Sequence, residues 1–88
     1  MDKTTFLAVL EDLVAGFESA DFKAKMGAAK ASGDVNAMMA APMGLQAAVM
    51  QKHGLDPQAG MAAFKAAGRQ FALEPDAAGL LARMKAAL

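Results

Sequence analysis

Side chains able to do chemistry are few in this chain, and they do not converge. His53 is the only histidine and there is no cysteine. The hydroxyls Thr4, Thr5, Ser19 and Ser32 fall where helices should start or stop. Acyl or nucleophilic catalysis needs a nucleophile beside a base that a third group orients, and no spacing here assembles one. Glu11 and Asp12 are adjacent carboxylates. Consecutive helical residues point about 100° apart, so the pair reads as a solvated face, neither a metal clamp nor an acid–base couple. The glycines are scattered and form no phosphate-cradling loop. The chemical inventory therefore predicts no enzyme, no metal and no cofactor, with His53 as a helix-end residue.

Nine basic residues balance nine acidic ones, which removes the long-range attraction that nucleic acid or an anionic membrane would exploit. Without cysteine there is neither a disulfide framework nor a thiolate metal site. The start, Met1-Asp2-Lys3-Thr4-Thr5, lacks a basic stretch leading into a long apolar run, so no signal peptide is expected. The expected location is intracellular, cytoplasmic or also nuclear.

The elements that must position these groups read as helices throughout, with no period-two alternation and no hairpin turn. Phe6, Leu10, Leu13 and Phe17 recur at spacings of four, three and four, which predicts a first helix over about 4–19 with Asp2 or Thr4 as its cap. Asp21 is the expected cap of a short second helix over 22–31, closed by Ser32-Gly33. Asp34 then caps a third helix, continuing to His53 and stopped by Gly54 in a geometry that folds Leu55 back onto Met50. Asp56-Pro57 restarts the chain for a fourth helix reaching about Ala72. A fifth opens at Glu74-Pro75-Asp76, with Ala77, Leu80, Leu81, Met84 and Leu88 on one face.

The third helix stands out. Between Val35 and Met50 there is no charge, and Asn36 and Gln46 are the only polar residues. Sixteen residues span about 24 Å, too short and too interrupted for a membrane span. The run is expected to be a central core helix, apolar on nearly all sides and kinked at Pro42. The expected fold is a single all-α domain over 1–88, a compact bundle of four to five helices around that helix at about 34–53.

Two interaction readings follow. Helix five has a poorly charged outer face, making Ala78, Ala82, Arg83 and Ala86 a candidate partner or self-association surface. Met side chains suit adaptable peptide-binding grooves, though core filling is the plainer reading of the internal methionines; Met38, Met43, Met61 and Phe64 are candidates to line an apolar small-molecule pocket, an alternative less favoured than the interaction module. Gly44, Gly60, Gly68 and Gly79 are expected to permit close approach of helices.

Three stretches also carry a family resemblance. They are Leu10-x-x-Leu13-Val14-x-x-Phe17 followed by Met26; Met38-Met39 leading to Pro42, Gln46, Val49 and Lys52-His53-Gly54-Leu55; and Phe64-Lys65 with Asp76 and Leu81-x-x-Met84-Lys85-x-x-Leu88. In order and spacing the chain resembles the small eukaryotic all-helical family called protein C-ten, along nearly its whole length. The matched positions are core and helix-stop positions, with Phe17, Pro42, His53 and Gly54 as landmarks. The family usually carries a larger aromatic where His53 stands and bulkier residues in the third helix, and its animal members extend further. The resemblance implies a non-enzymatic, intracellular protein-interaction role.

Overall fold

The computed structural model describes residues 1–87 and contains five helices: α1 (Lys3–Phe17), α2 (Ala20–Ser32), α3 (Val35–Lys52), α4 (Pro57–Phe71) and α5 (Pro75–Ala87). There is no strand among the described residues, and the architecture is the all-α bundle the sequence predicts. Leu88, expected on the inner face of α5, lies outside the described residues. The molecule measures 39 × 26 × 18 Å. Its shortest dimension is about two helix diameters, so the helices form two layers.

Local chemistry sets the helix boundaries. Asp2, Asp34 and Asp56 each accept a backbone N–H three residues on, from Thr5 (2.7 Å), Ala37 (3.1 Å) and Ala59 (2.9 Å). Each satisfies a donor that the first turn leaves free. Pro57 follows Asp56 at the first helical position, where its missing N–H costs nothing. For α2 the cap is Ser19, whose hydroxyl accepts Phe22 N–H at 3.2 Å; Asp21, expected there, sits instead in the first turn. Both are capping residue types two positions apart; the choice of Ser19 adds Ala20 and Asp21 to α2, which with Ser32 at its end has thirteen residues. Gly33 and Gly54 close α2 and α3 with φ of 70° and 71°, the left-handed conformation that glycine adopts without a Cβ clash. Leu55 N–H then reaches Met50 C=O at 2.8 Å, the expected fold-back.

The centre of the bundle is α1, not α3. Phe6, Val9, Leu10, Leu13, Val14 and Phe17 are all buried, and α1 packs against each of the other four helices. Phe6 stacks at a tilt on Phe64 (5.1 Å between centroids) and Phe71 (5.7 Å), while Phe17 meets Phe22 edge-on at 5.0 Å. The expectation that α3 is apolar-buried on nearly all sides is corrected: only Val49 and Met50, in its last turn and a half, are buried. Eighteen residues make α3 about 27 Å long, and its N-terminal half lies beside α2. The helix runs unbroken through Pro42.

Ion pairs fix the direction of α5. Lys3 at the start of α1 reaches Glu74 (3.1 Å) and Asp76 (3.3 Å), and Glu18 beyond its end reaches Arg83 (2.7 Å). Start meets start and end meets end, so α1 and α5 run parallel. Asp12 pairs with Lys52 and Leu45 covers Gly16, which makes α3 antiparallel to α1.

Candidate functional site

The residues with chemical potential are used structurally. His53 caps the C-terminus of α3, as expected of a helix-end residue, and its Nε2 donates to Asp12 Oδ2 at 2.7 Å. Lys52 Nζ lies 3.3 Å from the same oxygen. Asp12 is therefore not the solvated carboxylate the sequence suggested; it is two-thirds covered and ties α1 to the end of α3. Its hydrogen bond from His53, backed by Lys52, holds its carboxyl below the ordinary carboxylate range. Glu18 is lowered in the same way by Arg83, and the Lys3 ammonium is raised by Glu74. Ser19 and Ser32 hydroxyls donate to Gly16 and Ala29 carbonyls. Among the described residues no three His, Asp or Glu side chains group as metal ligands would.

What the fold leaves available is apolar surface. Val35, Met39 and Met43 are 60%, 59% and 62% exposed, and Leu73 is 97% exposed. The first three recur every four residues, so they form one stripe along the side of α3 that no helix covers. The stripe runs into an open groove of about 420 Å³ between α3 and α4, lined by Met43, Gln46, Ala47, Pro57, Met61 and Lys65. Sequence reasoning singled out these methionines for their type, yet assigned them to the core. The missing signal was where α3 is covered: its buried residues, Val49 and Met50, lie near its C-terminal end.

The four residues nominated for a small-molecule pocket are not brought together. Met43 and Met61 share the α3–α4 groove, Phe64 is buried and lines a different groove against α5, and Met38 is half-buried and lines neither. Each of these hollows opens to solvent, whereas apolar ligand sites enclose most of the ligand. On α5, Ala82 and Ala86 are exposed and Ala78 is half-covered, while Arg83 is held by Glu18. That nominated face is therefore small-residue surface with one pinned cation.

The glycines divide differently from expectation. A Cβ at Gly60 would lie 3.0 Å from Met50 Sδ and 3.1 Å from Leu55 Cβ, and one at Gly68 only 3.9 Å from Phe6. Gly44 and Gly79 face open space. Gly16, which sequence reasoning passed over, admits Leu45: a Cβ there would sit 2.7 Å from Leu45 Cδ1.

No described helix is long and apolar enough to cross a membrane. No protein-family model, curated protein or solved structure matches the chain.

Proposed function

We propose that this chain is a small, non-enzymatic, intracellular helical module that works by binding protein, the role its resemblance to the protein C-ten family implies. The observation that carries the reading is the row Val35, Met39 and Met43, three large apolar side chains left in solvent on a helix with no charge between Val35 and Met50. Exposed methionine is chemically suited to this work, since its unbranched, polarisable chain repacks against varied partners. Contiguous apolar surface on a small domain is costly unless something covers it in use. The α3 stripe is favoured over the α5 face because alanine offers little area and Arg83 is already engaged by Glu18.

The test is co-purification from the source cell with tagged wild type, Met39→Glu/Met43→Glu and Ala82→Glu/Ala86→Glu. The first variant should lose the bound protein and the second keep it. If the bound protein persists with Met39→Glu/Met43→Glu, the stripe is not the docking surface.

A further inference from the structure

The zero net charge hides an uneven distribution. Of the nine carboxylates, Asp2, Asp34 and Asp56 cap helices, and Asp12, Glu18, Glu74 and Asp76 hold ion pairs. Asp21 sits in the first turn of α2, which leaves Glu11 alone on an open helix flank. Cations are spent more sparingly. Six of the nine cations make no ion pair among the described residues: Lys23, Lys25 and Lys30 on α2, and Lys65, Arg69 and Lys85 on α4 and α5. The last three converge on one feature, an open groove of about 490 Å³ between α4 and α5.

The floor of that groove is Phe64, Gly68, Ala72 and Leu81, and no carboxylate lines it. Lys65 and Arg69, four residues apart, form a ridge along the α4 wall, and Lys85 stands on the α5 wall. From Phe64 to Ala72 the floor runs about 12 Å, two to three helical turns. An apolar channel with cations on both walls asks for a ligand that is apolar along its centre and anionic along both edges.

We infer that the α4–α5 groove is a second docking site, and that its occupant is an acidic amphipathic helix of a partner protein. Leucine-type side chains at helical spacing would lie on Phe64 and Leu81. Two carboxylates four residues apart would meet Lys65 and Arg69, and one on the opposite edge would meet Lys85. Concavity and paired walls favour a helix over a membrane, which would need cations on a convex, continuous face. Lys65 borders both this groove and the α3–α4 groove that the stripe enters, whereas Arg69 and Lys85 line this one alone.

The experiment titrates a synthetic helix, leucine along one face and glutamate along both flanks, into isotopically labelled wild-type protein. A matching peptide with lysine for glutamate and vesicles containing phosphatidylserine are the comparison probes. Saturable binding should shift the amides of Phe64, Gly68, Ala72 and Leu81, weaken as salt rises, and be absent for the lysine peptide. Lys65→Glu/Arg69→Glu/Lys85→Glu, all at exposed positions, should keep its helical spectrum and bind the acidic peptide at least about tenfold more weakly. Met39→Glu/Met43→Glu should bind it as wild type does. Equal binding of both peptides, full affinity in the triple variant, or binding to vesicles without binding to the peptide would each overturn the assignment.

Discussion

Helices α1 and α3 are both rich in apolar residues, yet one is sealed at the centre of the bundle and the other leaves a row of large side chains in water. The difference lies in arrangement. In α1 the large residues fall at Phe6, Val9, Leu10, Leu13, Val14 and Phe17, one broad face opposite Glu11. That pattern lets the helix turn all its large side chains towards its neighbours at once. In α3 apolar residues surround the axis, so no orientation buries them all, and many are alanines whose burial removes little surface from water. The helix settles by burying Val49 and Met50 against α1 and α4 and leaving Val35, Met39 and Met43 outside. A high apolar content shows that a helix can be buried; a coherent face shows that it will be.

The sharpest way to break this comparison is to truncate one large side chain from each helix. Phe6→Ala removes a fully buried ring that touches Phe64 and Phe71, and should cost about 3–5 kcal/mol. That is a large share of the stability of a domain this size, about 4–13 kcal/mol. Met39→Ala should move stability by less than about 0.5 kcal/mol. Urea unfolding followed by circular dichroism measures both. A loss near 2 kcal/mol for Met39→Ala would mean that the stripe is covered in solution, and the contrast between the helices would collapse.

A subtler pair of changes uses glycine to probe how closely each surface is packed. Gly44→Ala, in the exposed stretch of α3 with open space around it, should stabilise by about 0.5–1 kcal/mol through helix propensity. Gly60→Ala gains the same propensity but drives a methyl against Met50 and against Leu55 Cβ, which the fold-back at Gly54 holds in place. Overpacking of this kind costs about 1–3 kcal/mol, so the net effect should be destabilising. Opposite signs from one substitution type would map open surface against packed interface. If both variants gain stability, the α3–α4 contact is looser than the distances state.

How much of this was legible in the sequence depends on the range of each signal. Caps at Asp34 and Asp56, the proline start of α4 and the glycine stops at Gly33 and Gly54 are interactions between a residue and backbone within five positions. Sequence order alone exposes them. The α1 face was readable because its spacing repeats over four turns. Which apolar helix becomes central is decided by how the others fit around it, and that information is spread over the whole chain. The same holds for Gly16 meeting Leu45, and for Asp12 meeting residues some forty positions away. The candidate site shows both cases: the methionines could be singled out by type, whereas their exposure depends on where α3 is covered.

The smallest expected effect concerns the seam where the two helices are pinned together. Asp12→Asn keeps the shape of the side chain but removes the charge that faces Lys52 and accepts from His53, and should cost about 0.5–1 kcal/mol near neutral pH. Because folding lowers the Asp12 carboxyl below its ordinary value, the native state binds this proton less readily than the unfolded chain. Its contribution is therefore present above the unfolded value of about 4 and disappears as pH falls through the lower folded value. Wild type and Asp12→Asn should differ in thermal midpoint at about pH 6 and converge as acid protonates Asp12 in the folded state too. A difference that persists undiminished in acid would assign the loss to hydrogen bonding alone. The charge on Asp12 would then have no part in holding the end of α3 on α1.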